Sequence, residues 1–196
     1  MQRIKLMAHY CLLMVFIFSC QDKEGSDLFC NSSDNLSICY SQYGGGKDLI
    51  LFVHGWSCDK SYWENQLDYF SKNFHVVTLD LGGHGKSGND RNEWTISSFG
   101  NDVNAVLSQY NFKKAYLVGH SMGSDVILDA ASKWETNNIE LILVDRFIDT
   151  PIPWIGESFE EFYKPFVENF KDYTYSWIKD VMFIPDSDTQ LMEWIV

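Results

Sequence analysis

Positive charge is scarce in this sequence: 15 lysine and arginine residues stand against 27 aspartate and glutamate residues, for a net charge of −12. A chain this acidic repels nucleic acid, and because it contains no basic patch, a nucleic-acid partner is not expected. The sequence also lacks the cysteine and histidine spacings of a structural zinc site. We therefore expect no metal, and no cofactor is predicted. Internal repeats and low-complexity tracts are absent as well, which excludes a repeat architecture.

Long hydrophobic runs are also missing, and the apolar stretch at residues 11–18 is too short to span a bilayer. It follows two basic residues, so residues 1–19 are predicted to be a signal peptide. The four residues that end at Cys20 are similar to a bacterial lipobox, which implies a lipidated Cys20, a tether over residues 20–27 and a membrane partner through that lipid anchor. The expected location is the bacterial cell envelope, at the outer membrane or the periplasmic face. The alternative is a plain secretory signal and a secreted protein.

Apolar runs alternate with amphipathic segments along the middle of the chain. Continuous apolar runs are typical of strands buried in a parallel sheet, and apolar residues three or four apart are typical of helices. Strands that alternate with helices predict an α/β fold with a doubly wound, mostly parallel sheet, preceded by a hairpin with Asn35 in its turn. In the second helix, Ile96 and Phe99 are predicted to face inward. The predicted strands are residues 27–33, 36–43, 49–53, 74–80, 115–118 and 139–144, and the predicted helices are residues 59–72, 95–110 and 124–134.

Three cysteines follow Cys20, namely Cys30, Cys39 and Cys58. Outside the cytoplasm, a pair of cysteines can form a disulfide. Cys30 and Cys39 lie on the two adjacent strands of the predicted hairpin. We therefore expect these two to be the bridged pair and Cys58 to remain a free thiol.

The most informative stretch is Gly119-His120-Ser121-Met122-Gly123, which an apolar strand precedes and a helical pattern follows. In this strand–turn–helix context, G-x-S-x-G is the sequence form of a nucleophile elbow, which holds the serine in a strained turn at the end of a sheet. Both flanking positions are glycine because side chains there would collide. The alternative is an ordinary strand-to-helix turn with no catalytic role.

A second motif, His54-Gly55-Trp56, follows the apolar run at residues 49–53. Acyl transfer requires two backbone N–H donors for the developing oxyanion. We expect one donor to be the N–H of Met122, the residue after the serine, and the other to be the N–H of Trp56. Taken alone, His54-Gly55 also fits a simple turn at the end of a strand, with a capping histidine.

A third motif extends from Asp80 to Ser87 and contains three glycines within four positions. This density of glycine indicates a loop in which backbone lies close to backbone. Glycine-rich loops also bind phosphate, but the spacing here is not that of a P-loop. Nucleotide binding is therefore not predicted.

Together, the three motifs resemble those of the α/β-hydrolase superfamily, in the serine-hydrolase branch that carries a helical lid. The resemblance covers residues 27–150 closely and the remainder loosely. It implies an α/β-hydrolase core over residues 28–150, Ser121 as the catalytic nucleophile, and a small-molecule acyl substrate such as an ester. Because the superfamily hosts many chemistries, the motifs say little about which substrate is used.

The resemblance also implies a lid after residue 150. The segment is rich in aromatic residues, and Pro151 to Trp154 marks a break in composition. Apolar residues at helical spacing predict helices within residues 151–196, which would be the start of a helical lid that walls the active site. The alternative is that these helices simply pack on the sheet.

Histidine is missing where the resemblance requires it. The superfamily order is serine, then acid, then histidine, and none of the five histidines follows Ser121. His120 is expected to point away from the serine hydroxyl, and His84 is only a remote substitute for the base. Asp145, at the end of the last predicted strand, is the candidate acid. We therefore expect an incomplete fold, whose histidine lies beyond residue 196. In the superfamily the acid more often follows the next strand, in which case it would also lie beyond residue 196.

Two hypotheses follow from the sequence. The first is an envelope-anchored serine hydrolase of esters or related acyl compounds, of which these 196 residues alone have weak or no activity. The second is a non-catalytic binding or scaffold lipoprotein on a degenerate hydrolase fold. Cofactor-free peroxidation and C–C bond cleavage use the same serine constellation, and the sequence does not distinguish them from hydrolysis.

Overall fold

The computed structural model describes residues 25–146, 159–179 and 190. The chain forms two compact units, Met1–Phe147 and Ile148–Val196. The predicted signal peptide, Cys20 and the break at residues 151–154 lie outside the described residues, as does most of the predicted tether.

The first unit is built on a six-stranded sheet with the order β1-β2-β4-β3-β5-β6. The four strands from β3 to β6 are parallel, whereas β2 is antiparallel to both β1 and β4. This mostly parallel sheet with helices confirms the predicted fold class. The strands are β1 Leu28–Asn31, β2 Ser37–Gly44, β3 Leu49–Val53, β4 His75–Leu79, β5 Ala115–His120 and β6 Ile139–Val144, and the helices are α1 Glu64–Phe70, α2 Ile96–Leu107 and α3 Met122–Ser132.

Apolar side chains cover both faces of the central strands, as the continuous apolar runs predict. One face packs against α2 and α3, with Leu51, Leu117 and Val103 among its fully buried residues. The other face packs against α1, where the Phe52 ring lies 4.6 Å from the Trp63 ring and 5.8 Å from the Phe70 ring. Because helices cover both faces of the sheet, the carboxyl ends of the parallel strands are where a site can form, and the candidate site lies there.

The β1–β2 hairpin is present, with Asn35 in its turn at φ 68°, but the predicted disulfide is wrong. Cys30 lies opposite Ile38, and Cys39 lies opposite Phe29. Neighbouring residues of a strand point to opposite faces, so the register directs the two sulfur atoms to opposite sides of the sheet. Cys30, Cys39 and Cys58 are all free thiols.

Three other predictions need correction. The predicted helix at 59–72 is a 3-10 turn, Lys60–Trp63, followed by the short helix α1. Ile96 was expected to face inward but is 37% exposed, because it is the first residue of α2, directly after the capping residue Thr95. The last strand, β6, is at an edge of the sheet rather than buried, and Ile142 is 47% exposed.

The described part of the second unit contains two helices, α4 Phe159–Glu168 and α5 Phe170–Trp177, where the aromatic spacing predicts helices. They pack through Phe166, whose ring lies 4.6 Å from that of Tyr173 and 6.0 Å from that of Trp177. Across the described residues, no helix combines the length and the apolar character needed to cross a membrane.

Candidate active site

Ser121 lies in the turn between β5 and α3, outside both elements. Its φ of 51° and ψ of −121° are unusual for a residue with a side chain, and such strain is typical of functional turns. The N–H of Ser121 donates to the Val144 carbonyl at 2.9 Å, and its carbonyl accepts from the Ser124 N–H at 2.9 Å. The strained conformation is therefore held on one side by β6 and on the other by the first turn of α3.

The two glycines that flank Ser121 are required by close backbone contacts. A Cβ atom on Gly119 would lie 2.3 Å from the Gly123 carbonyl oxygen. A Cβ atom on Gly123 would lie 2.5 Å from the His54 oxygen and 2.6 Å from the Val53 oxygen. These separations are shorter than any real Cβ contact, which agrees with the steric reason given for both glycines in the sequence motif.

We expect Gly123→Ala to lower the free energy of unfolding by about 2 kcal/mol, because the new methyl group would force the start of α3 away from β3. Urea unfolding followed by circular dichroism measures this change. Gly45→Ala is the matched control, since no atom lies within 4 Å of a Cβ at Gly45. Equal effects of the two substitutions would contradict the close packing at Gly123.

The turn after β3 lies against the serine. A Cβ atom on Gly55 would be 3.2 Å from the Ser121 Cβ. Trp56 follows directly, so its backbone is in the same turn, and Met122 is the first residue of α3, where N–H groups have no partner within the helix. The structure therefore brings the two predicted oxyanion donors to the same end of the sheet as Ser121.

His54 is a buried structural residue of this turn. Its Nδ1 lies 2.8 Å from the Gly55 carbonyl oxygen, and its Nε2 lies 3.0 Å from the Leu81 nitrogen. This geometry assigns the neutral tautomer, in which Nδ1–H donates to Gly55 and Nε2 accepts from the Leu81 N–H. Burial, assisted by the nearby His84 ring, lowers the pKa of His54 to about 4, so the ring is uncharged at neutral pH.

The glycine-rich loop after β4 uses its own amide groups internally. The Gly82 N–H donates to the Asp102 carboxylate at 3.1 Å, and the Lys86 N–H donates to the Asp80 carboxylate at 2.9 Å. The Gly83 N–H donates to the Gly88 carbonyl at 2.8 Å. These three N–H groups are therefore occupied by acceptors in the loop, at the end of β4 and on α2.

A lysine that no motif indicates holds the same region together. The Lys60 ammonium lies 3.1 Å from the Asp80 carboxylate and 3.0 Å from that of Asp27, and the Lys60 N–H donates to Asp80 at 2.8 Å. Burial alone would lower the pKa of Lys60, but its carboxylate partners outweigh burial and raise it. Lys60 therefore joins the segment after β3 to the loop after β4.

The other histidines and the candidate acid are placed differently from a catalytic triad. His120 Nε2 lies 4.0 Å from the Asp145 carboxylate, and the Asp145 side chain is 70% exposed. Asp145 has a positive φ of 52° and follows Val144, whose carbonyl binds the Ser121 N–H. His84 Nδ1 lies 3.0 Å from the Gly82 carbonyl oxygen, within its own loop. The structure thus pairs Asp145 with His120, and the role of Asp145 as an acid stays a prediction.

A buried ion pair between Arg91 and the α2 residue Asp102 was not predicted from the sequence. Asp102 lies fully buried on the inward face of this helix, one turn from Phe99, and binds the guanidinium of Arg91 through two nitrogen atoms. The signal was available, because a carboxylate at an inward position of an amphipathic helix needs a partner. Within the described residues, no group of three or more histidine, cysteine or acidic side chains is placed to hold a metal ion.

A strained serine between strand and helix, at the carboxyl edge of a mostly parallel sheet, defines a class of α/β proteins with a nucleophile elbow. The family model described as the alpha/beta hydrolase fold matches residues 48–189, and the chain belongs to that family.

Relatives with known names cover several chemistries. The chain is 35% identical over 92 residues to an (E)-2-((N-methylformamido)methylene)succinate hydrolase of Acinetobacter baylyi, covering 47% of this chain and 35% of that protein. It is 30% identical over 95 residues to the non-heme chloroperoxidase CPO-A1 of Kitasatospora aureofaciens, covering 48% of this chain and 34% of that protein. The matched segment thus spans about a third of the length of these relatives.

Solved structures support the same fold. The chain superimposes on an esterase from Exiguobacterium antarcticum with a TM-score of 0.71, at 20% sequence identity. The superposition covers 87% of this chain and 66% of the esterase. At this identity the likeness shows the fold and not the substrate.

Proposed function

We propose that the chain is a serine hydrolase of esters or related acyl compounds, with Ser121 as its nucleophile. The observation that carries this proposal is the conformation of Ser121, which is held at φ 51° between β5 and α3 with the Gly55 turn packed against it. A strained residue of this kind is retained where its position matters. The hydrolase of Acinetobacter baylyi, 35% identical over the matched segment, supports hydrolysis as the reaction.

In the proposed reaction, the Ser121 oxygen attacks the carbonyl carbon of the substrate and gives up its proton to a base. The N–H groups of Met122 and Trp56 stabilise the negative charge that develops on the carbonyl oxygen. The alcohol leaves with a proton, and water then releases the acid from the acyl-serine in a second addition. Ser121 directly precedes α3, and the dipole of that helix also favours negative charge near its N-terminus.

The base is the unfilled role in this mechanism. The histidines of the superfamily follow the acid, whereas all five histidines of this sequence precede Ser121. His54 is committed to two hydrogen bonds, and His84 binds its own loop. We therefore propose that these 196 residues alone turn over esters slowly.

We expect the chain to hydrolyse p-nitrophenyl acetate slowly in plain buffer. When imidazole supplies the missing base, the rate after subtraction of the protein-free rate should rise at least about tenfold. The increment should vanish in Ser121→Ala. It should persist in Ser132→Ala, an exposed serine at the end of α3. The measurement is initial rate against imidazole concentration for the three proteins.

Two outcomes would contradict the proposal in different ways. Rapid ester turnover without imidazole would show that a base is already present. An imidazole response that is the same in Ser121→Ala and in the unchanged chain would remove Ser121 as nucleophile and favour the non-catalytic binding or scaffold role. Because the chain is similar to a non-heme chloroperoxidase, repeating the assay with peroxide as acceptor tests the peroxidation alternative.

The location and the lid remain part of this proposal. Anchoring in the cell envelope through Cys20 rests on the sequence of residues 1–20 alone. The lid role of residues 151–196 rests on the resemblance and on the aromatic composition of that segment. A lid lined with aromatic side chains would exclude water from an acyl substrate.

A further inference from the structure

A cleft of about 490 Å³ lies in the first unit, on residues that do not include Ser121, Met122 or Trp56. One wall is β2, which contributes Ser41 and Tyr43. The opposite wall is the segment from the 3-10 turn into α1. We refer to this space as the Ser41 cleft, and it is separate from the candidate active site.

Ser41 is a buried hydroxyl without a partner. Its side chain is 1% exposed, and among the described residues its Oγ forms no hydrogen bond. Cys39, Ser41 and Tyr43 share one face of β2; Cys39 contacts the Lys60 ammonium on that side, and Tyr43 lines the cleft. Ser41 therefore lines the same side of the cleft as Tyr43. An unmade hydrogen bond at such a depth costs about 1–3 kcal/mol, which a bound polar atom would recover.

The charges on the cleft walls favour a cation. The carboxylates of Asp27 and Asp80 are paired with Lys60, and Asp27 is also paired with Lys86. The hydrogen bonds from these two lysines lower the pKa of Asp27 to about 2, so it stays ionised. The positive charges of the two lysines therefore balance the negative charges of Asp27 and Asp80.

Two further carboxylates line the cleft. Glu64 is the first residue of α1, and Asp59 caps the 3-10 turn, where one of its oxygens accepts the Ser61 N–H at 2.7 Å. Neither carboxylate has a lysine or arginine partner among the described residues. The cleft therefore carries an excess of negative charge beside the apolar surfaces of Tyr43 and Leu67.

We propose that the Ser41 cleft binds a small primary alkylamine in its ammonium form. The ammonium group donates to the Ser41 hydroxyl and is attracted by Asp59 and Glu64. The short carbon chain lies against Tyr43 and Leu67, and an aromatic face is also a favourable surface for a cation. The site is independent of Ser121 chemistry, so it stands or falls separately from the proposed hydrolase function.

The test is a titration of the whole chain with n-butylamine at neutral pH and low ionic strength, followed by backbone amide shifts in NMR. We expect saturable shifts at residues of the cleft, and none with butyrate or 1-butanol. Ser41→Ala should raise the dissociation constant for butylamine about fivefold, because a hydrogen bond to the ammonium group is lost. It should also raise the Tm of the unliganded protein, because the orphan hydroxyl is gone.

The charge is tested by a matched pair of substitutions. Glu64→Gln should weaken butylamine binding about threefold, whereas Glu140→Gln, the same change on β6 at the opposite edge of the sheet, should leave it unchanged. Equal effects of the two substitutions would mean that the amine associates with the acidic surface in general. That result overturns the proposal, as would saturable binding of butyrate or unaltered affinity in Ser41→Ala.

Discussion

Replacing Arg91 with leucine is expected to lower the free energy of unfolding by about 3–5 kcal/mol. The Arg91 side chain is 3% exposed and that of Asp102 is 0% exposed, so the substitution would leave a carboxylate buried without its cation. Arg91 also binds Asp34 at 2.6 Å, which ties α2 to the turn between β1 and β2. Urea unfolding at pH 7 measures the change.

The loss of stability in Arg91→Leu should come from the unpaired charge of Asp102 rather than from lost packing. The double variant with Arg91→Leu and Asp102→Asn removes the charge and keeps an oxygen that accepts the Gly82 N–H. It should therefore be more stable than Arg91→Leu alone, by 1 kcal/mol or more, as expected when a buried pair is replaced rather than broken.

Arg146→Leu is the matched control for this experiment. Arg146 binds Asp125 at 2.7 Å, but both side chains are partly exposed. An ion pair of this kind contributes about 1 kcal/mol or less, because water screens it. If Arg91→Leu were as mild as Arg146→Leu, the buried Asp102 carboxylate would not need Arg91 for its stability. That result would contradict the prediction.

The strands and the elbow were predictable because their signals are local. The run Leu49–Val53 is buried at every position, and five consecutive apolar residues are typical of a strand with both faces covered. The glycines at 119 and 123 are explained by contacts within a few ångströms of the turn itself. The cause of Gly119 lies within the elbow itself, whereas Gly123 is also required by the backbone at the end of β3.

The errors occur where the cause lies elsewhere in the chain. The sequence of β6 is apolar except at Glu140, but among the described residues β6 has a strand on one side only, so its burial depends on neighbours that its own sequence does not specify. The disulfide was wrong because adjacent strands do not by themselves bring two cysteines together. A shift of one position in the register directs the side chains to opposite faces.

The polar contacts around the candidate site were the hardest to foresee. Lys60 and Asp80 are 20 residues apart, and no spacing rule connects them. Arg91 and Asp102 meet because α2 folds back on the loop after β4. Such pairs follow from the tertiary fold, so a single sequence indicates at most that a buried carboxylate needs a partner.

Between pH 6.5 and pH 4, the chain is expected to lose about 3 kcal/mol of stability through His54 alone. Burial is the main reason that the pKa of His54 falls from 6.5 to about 4 in the folded protein. Over this range the unfolded chain binds a proton that the folded chain refuses. The stabilising contribution is therefore complete above pH 6.5, and it is lost as the pH falls through this window.

The hydrogen bonds of His54 explain why the folded protein resists the proton. Nε2 accepts from the Leu81 N–H at 3.0 Å, and a proton on Nε2 would place two donors against each other. Leu81 begins the loop after β4, and Gly55 lies against Ser121. Protonation would thus loosen both loops that flank the candidate active site.

His54→Gln separates this contribution from the others, because the glutamine oxygen can accept the Leu81 N–H without titrating. The variant should lose less stability than the unchanged protein between pH 7 and pH 4.5 in urea unfolding, even if it is less stable at pH 7. His75→Gln is the control, since burial also lowers the pKa of the half-buried His75. If His54→Gln retained the full pH dependence while His75→Gln abolished it, the acid sensitivity would belong to His75 at the start of β4 and not to the turn next to Ser121.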